Sequence, residues 1–276
     1  MFFDPEKHRI KKHEFRPKRR NKSVRLKAGG QITFSLIDNF LSIFWNKKHS
    51  REQSMIERDE MFLPEYRVTH LRADMQPREF ASAIPAIPFI QIDCFPWNND
   101  YDPKTEVRCG YTDFFCYIGF RVFEEKPTVR HKSFQDPVYE DSCVEFFFNP
   151  FPKDSKDYVN LEVNAAGVLL AQIGSGRRNR RSLAADEVKG LEIWASRNEE
   201  ESDPVPKSDW QIVLKIPFAF FAELYKRPFV LPKKGKGNFY KCADRTGRPH
   251  YGCWSSVQSQ APDFHQPAFF GTLVFE

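Results

Sequence analysis

The stretch Tyr139–Pro150 reads YEDSCVEFFFNP. Taken as a β-strand it alternates, with Val144, Phe146 and Phe148 on one face and Asp141, Cys143, Glu145, Phe147 and Asn149 on the other. One face is apolar and suits a core; the other carries a carboxylate. A short way on, Tyr158–Asn164 (YVNLEVN) repeats the arrangement, with Val159, Leu161 and Val163 inside and Tyr158, Asn160, Glu162 and Asn164 outside. The two stretches are joined by Pro150, Pro152 and the polar run Lys153–Asp157, so they are expected to pair as a hairpin.

If the hairpin is symmetric about residues 153–154, Glu145 lies opposite Glu162 and Phe147 opposite Asn160, with facing Cβ atoms about 5 Å apart. Two like charges so placed repel unless a cation, a basic neighbour or a ligand rich in hydroxyl donors relieves them. A second reading stays open at this point: two solvated carboxylates on an exposed sheet, or a register one residue different, which would turn every side chain to the other face.

Working outward, the remainder from Pro64 shows short apolar runs separated by turn residues, the pattern of an all-β antiparallel sandwich of jelly-roll or immunoglobulin-like type. Strands are expected at Phe89–Cys94, Val107–Cys109, Phe114–Phe123, Val168–Ile173, Leu191–Ala195, Trp210–Ile216, Asn238–Ala243, Tyr251–Ser255 and Gly271–Glu276. One short helix is expected at Phe218–Tyr225 (FAFFAELY), whose apolar residues cluster without alternation. The run GSGRRNRRS (174–182) reads as a solvated basic loop. Trp97 and Trp254 flank strands and read as core, and no internal repeat is present.

Composition bounds the rest. The 28 phenylalanines and 41% hydrophobic residues describe a folded chain, and 276 residues suffice for one large all-β domain with an extension. The net charge of +5 is local, since residues 1–27 hold eleven Lys and Arg against three acids. Residues 1–60 therefore read as a basic, poorly ordered N-terminal extension and 61–276 as the sandwich. A basic arm for nucleic acid or an anionic surface is a second reading of the extension, and translation from Met55 or Met61 a third. For the chain as a whole no nucleic-acid partner is expected.

The six cysteines show no CxxC pair and no Cys/His ligand spacing, so they read as buried apolar residues and no metal site is expected from them. The chain starts without the pattern of a secretory signal, and Ile32–Trp45 is too short to span a bilayer. As written it reads as soluble and cytoplasmic; a different natural start leaves an extracellular location open. No Ser/His/Asp order, G-x-S-x-G elbow or P-loop pattern is present.

Several motifs in one order carry a family resemblance. They are IDCFPW (92–97), the D-S-x-V-E-x-F strand at 141–147, the V-N ending of the second strand, GNFYKCADRTG (237–247), and the final F-G-x-L-x-F within PDFHQPAFFGTLVF (262–275). From about Ile84 onward the chain resembles carbohydrate-binding module family 9. The resemblance implies a β-sandwich that holds a sugar between two aromatic side chains, with polar groups of the adjoining strands at its rim.

Carried over by position, the first aromatic wall is Tyr139, six residues before Glu145, and the second is Phe264, seven before Gly271. Both stand where tryptophan is the family's usual choice, and Cys143 is an extra residue within the family's D-S-V-E form. The chemistry agrees with the residues themselves. A pyranose offers an apolar C–H face to an aromatic ring and a rim of hydroxyls to directed partners. Glu145 and Glu162 would accept from hydroxyls, Lys241 would donate, and Asn164 would complete the rim. His265 would shape the second wall. The resemblance also allows a structural calcium ion, although the chain has no dedicated calcium loop; no other cofactor is expected.

The expected function is non-catalytic binding of a mono- or oligosaccharide. Two alternatives remain. A structural or interaction sandwich that no longer binds sugar would explain the smaller aromatic walls. A glycoside-processing enzyme would use the facing carboxylates, but these lie side by side instead of flanking a scissile bond.

Overall fold

A computed structural model describes residues 63–83, 86–97, 100–124, 126–197 and 209–275. The expected extension over residues 1–60 lies outside the described residues. In chain order the elements are β1 (Glu65–His70), α1 (Pro77–Ala83), β2 (Ile90–Gln91), β3 (Thr105–Tyr111), β4 (Phe115–Val122), β5 (Cys143–Asn149), β6 (Tyr158–Asn164), β7 (Leu169–Gly174) and β8 (Arg180–Ser182). They continue as α2 (Ala185–Val188), β9 (Glu192–Ala195), β10 (Trp210–Pro217), α3 (Phe218–Tyr225), β11 (Lys234–Cys242), β12 (Tyr251–Cys253) and β13 (Gly271–Phe275).

The strands run in the order β8-β7-β6-β5-β11-β13-β1-β3-β4-β10-β9, with β12 added beside β11 and β2 beside β3. The sheet curls into a β-sandwich whose two layers share β1. Residues Glu65–Val68 of β1 pair with Thr272–Phe275, while Thr69 and His70 pair with Gly110 and Tyr111. Both pairings of β1 are parallel, a departure from the all-antiparallel expectation; the others are antiparallel. The reason is topological: β1 slots between the last strand and β3, so it completes both layers without a hairpin to either.

Alternation explains the core. Val144, Phe146 and Phe148 of β5 and Val159, Leu161 and Val163 of β6 join Val107, Ile118, Phe120, Ile212 and Leu214 from the opposite layer in one buried cluster. Phe239 of β11 stacks on Phe146 at 5.2 Å and meets Phe120 edge-on at 6.2 Å, so aromatic rings bridge the layers. The FAFFAELY helix falls at Phe218–Tyr225 as its pattern indicates, with Phe218, Phe220 and Phe221 buried and Pro217 ending the strand before it.

The outward faces differ from expectation. A second apolar cluster contains Cys143, Phe147, Tyr158, Tyr240, Cys242, Phe264 and Phe270, on the face of β5, β6 and β11 that was expected to be polar. Every residue of β5 and β6 is buried. The segments around 94–97 and 257–270 cover this face, so the Glu145 side of the hairpin lies under a second layer of packing.

Candidate functional site

The hairpin forms in the expected register: Glu145 pairs with Glu162, and Phe147 with Asn160. On the other side of β5, Tyr240 of β11 pairs with Glu145 and Cys242 with Cys143. The single helical turn Val138–Glu140 brings in Tyr139, and the backbone carbonyls of Tyr139 and Glu140 accept from the amides of Asp244 and Arg245, fastening this turn to the loop after β11. Phe264 arrives from the C-terminal covering segment. Its ring stacks on Tyr240 at 4.1 Å and 15°, and its carbonyl accepts from the Tyr240 hydroxyl at 3.0 Å. Trp97 packs behind Phe264 at 5.7 Å, so this wall is fixed by the core.

These residues enclose a cavity of about 360 Å³. Tyr139 and Phe264 line it, as do Glu145 and Glu162. Arg177, Arg180, Asp244, Tyr251, Asp263 and His265 line it as well. Tyr139 is 36% exposed and Phe264 only 9%, so one wall is open to solvent and the other is core.

The carboxyl pair is desolvated. Glu145 and Glu162 are each 3% exposed. Glu145 Oε1 accepts from the Cys242 thiol at 3.0 Å, and Glu162 Oε1 from Asn160 Nδ2 at 2.9 Å. Glu162 Oε2 is buried without a protein partner. Burial pushes Glu145 well above the ordinary carboxylate range, helped by Cys242 and by Glu162. Burial likewise lifts Glu162 to about 7, against the pull of the Arg180 guanidinium and the Asn160 hydrogen bond. Asp244 rises to about 6, again through burial, with Arg177 opposing. A carboxyl group held near neutrality can both donate to and accept from a hydroxyl, so this floor suits a neutral polyol better than a second anion.

His265 is held neutral. Burial first, and then Arg180 and Arg177, bring it down to about 3. Arg180 Nη1 donates to His265 Nε2, which places the ring proton on Nδ1, where it donates to the Tyr158 hydroxyl at 2.8 Å. Arg177 approaches Asp263 at 3.8 Å. Both arginines come from the run expected to be a solvated loop. Part of that run is β8, with Arg180 paired to Gly174, and the register carries the guanidinium to the cavity.

Two expected rim residues are elsewhere. Lys241 pairs with Val144, which faces the inter-sheet core, so Lys241 points away from Glu145. It is fully buried, with Nζ 2.8 Å from His250 Nε2, 3.0 Å from the Cys242 carbonyl and 3.4 Å from Glu124 Oε2. Its parity along β11 is the opposite of that of Tyr240 and Cys242. Asn164 is on the Glu145 face but is consumed by the fold: Nδ2 donates to the His131 carbonyl and to Asp141, while Oδ1 accepts from the amides of Ala166 and Val168. Tyr139, Glu145, Glu162 and Phe264 are thus brought together at one cavity, and Lys241 and Asn164 are not. Arg177, Arg180, Asp244, Tyr251 and Asp263 were not singled out, and His265 was expected only to shape the second wall; Asp244 within ADRTG and the residues flanking Phe264 were the available signals.

The sequence model of carbohydrate-binding family 9 matches residues 79–275. No curated protein matches the chain in sequence. Among solved structures, a Bacteroides uniformis protein proposed to bind carbohydrate is 29% identical, with a TM-score of 0.68 over 78% of this chain and 100% of that one. A family 9 carbohydrate-binding module from Caldicellulosiruptor kristjanssonii, solved with glucose, is 12% identical, with a TM-score of 0.53 over 77% of this chain and 96% of that one. A structure of a family 9 module from the same organism with cellotriose gives 12% identity and a TM-score of 0.52, over 77% and 94% of the two chains. At this identity the last two speak for the fold.

Proposed function

Since the chain belongs to carbohydrate-binding family 9, we propose that it binds a mono- or oligosaccharide, without reacting it, in the cavity between Tyr139 and Phe264. The observation that carries this is the joint lining of one cavity by two aromatic rings and a buried carboxyl pair with an oxygen left unpartnered. An aromatic ring on either side would take the C–H faces of a pyranose, and Glu162 Oε2 would accept from one of its hydroxyls. Glu145, beside it on the same floor, would hydrogen-bond to another. The volume of about 360 Å³ suits one or two sugar rings.

The arrangement favours binding over hydrolysis. Glu145 and Glu162 stand on adjacent strands of one wall, whereas glycoside hydrolysis places its acid and its base or nucleophile on either side of the bond to be cut.

Calorimetric titration of the full chain with a panel of mono- and oligosaccharides tests the reading. Binding that weakens in Tyr139→Ala supports it. Absence of binding to the whole panel at millimolar sugar refutes it, because two aromatic walls and a carboxyl floor should give at least millimolar affinity, about 4 kcal/mol.

A further inference from the structure

Cys143 and Cys242 are far apart in sequence yet face each other across the β5–β11 ladder. Glu145 lies two residues beyond Cys143 and therefore on the same side of the sheet. The two sulfurs and a Glu145 oxygen all lie within 4.8 Å of one another, and all three residues are buried. The Cys242 thiol already contacts Glu145 Oε1 at 3.0 Å. Four-coordinate zinc with bonds of about 2.3 Å to sulfur spaces its ligand atoms by about 3.8 Å. Side-chain torsions within this triad can supply the small closure required, with no change of strand register.

We propose that Cys143, Cys242 and Glu145 bind a thiophilic divalent cation of the zinc class, leaving a coordination position open toward the saccharide cavity. The ligand set selects the metal. Two thiolates suit zinc, cadmium or cobalt and disfavour calcium and magnesium, which take oxygen ligands. Three protein ligands leave one position of a tetrahedron unfilled, and Glu145 itself lines the cavity. Glu162, directly opposite Glu145, has the free oxygen Oε2 to accept a hydrogen bond from a water or sugar hydroxyl in that position. Arg177 and Arg180 line the same cavity and bring positive charge to it. The spacing of cysteines along the chain gives no hint of such a site, because the pairing that creates it is between strands.

The inference goes beyond saccharide binding and is tested without sugar. The full chain, reduced, is titrated with Co²⁺. One equivalent should produce a thiolate-to-cobalt charge-transfer band, and Zn²⁺ should displace it. Cys143→Ser and Cys242→Ser should each weaken the metal by about a hundredfold or more, since even outer-sphere partners contribute ten- to hundredfold. Cys94→Ser and Cys253→Ser, altering the other cross-strand thiol pair, should leave the band in place.

The proposal is overturned by a folded wild-type chain that gives no such band. It is equally overturned by a band that survives in Cys143→Ser and Cys242→Ser, or by a Cys143–Cys242 disulfide in non-reduced peptides of the native protein. Should a serine variant fail to fold by circular dichroism, cadmium NMR of the wild type decides. Coordination by two sulfurs supports the site, and oxygen- or nitrogen-only coordination rejects it.

Discussion

Replacing Glu162 by glutamine preserves the side chain's shape and the oxygen that accepts from Asn160, while removing the ionisable proton. In the folded protein Glu162 is raised from its ordinary 4.5 to about 7. A raised carboxyl binds its proton more tightly when folded, so its contribution is complete below about 4.5 and is lost as pH rises through about 7. At about 1.4 kcal/mol for each tenfold change in proton affinity, the loss by pH 8 is about 3 kcal/mol. Glu145, raised by burial in the same direction, is present in both proteins and drops out of the comparison.

The full chain and Glu162→Gln are compared by urea and thermal unfolding at about pH 4.5 and about pH 8, with chelator present so that no metal at Glu145 contributes. Near pH 4.5 the two should agree to about 1 kcal/mol. At the alkaline end the variant should be more stable by about 3 kcal/mol, roughly 6–12 °C in Tm for a domain of this size. The same substitution should weaken saccharide binding, because the free carboxylate oxygen is replaced by an amide. Stability gained and affinity lost in one variant is the signature of a desolvated binding group. Parallel stability curves for the two proteins across this pH range refute the reasoning, since they would mean that Glu162 ionises at no cost in the fold.

Further outcomes follow from the same geometry. Tyr139→Ala should weaken saccharide binding with a stability change below about 1 kcal/mol, whereas Phe264→Ala should also cost about 3 kcal/mol through its stack on Tyr240; calorimetry and urea titration separate the two effects. Lys241→Met should destabilise by about 3 kcal/mol by stranding Glu124, yet change saccharide affinity by no more than about twofold, since Lys241 faces the other side of the sheet. His265 is lowered from 6.5 to about 3, so its neutral form stabilises the fold above about 6.5 and that stability is lost as pH falls toward 3; His265→Asn should flatten the acid limb of the stability–pH curve. Gly237→Ala would place a Cβ 2.6 Å from the Phe147 carbonyl oxygen, and should lower stability by about 2 kcal/mol by prising β11 from β5.

The hairpin was legible because everything that sets it is local. Alternation assigns the faces, and the short turn sets the register that puts Glu145 against Glu162. The sandwich class and the FAFFAELY helix were legible for the same reason. The second layer was not. Alternation separates two faces of a strand, but it reads alike whether the polar face meets water or a covering segment from elsewhere in the chain. Phe147, an apolar residue among Cys143, Glu145 and Asn149, was the local sign that this face is covered, and it packs against Tyr158, Tyr240 and His265.

Burial on both faces gives the Glu145–Glu162 pair its chemistry. On an open sheet, water would solvate both carboxylates, and their facing register would matter little. Beneath the covering segments each proton is held, one oxygen is left without a protein partner, and ionisation of Glu162 carries a cost. The same nonlocal pairing explains why Lys241 and Arg180 were misplaced. A residue two positions from its neighbour shares its face, and one position away does not, so the face of Lys241 was settled by the pairing of Tyr240 with Glu145. Arg180 looked like one charge in a solvated run because its partners, Gly174 by register and His265 by hydrogen bond, lie outside any local window. Strand composition thus specifies which groups a sheet can present, while cross-strand register specifies which of them share a cavity. In this protein the second condition turns Lys241 away from the cavity, brings Arg180 to it, and sets two thiols beside Glu145.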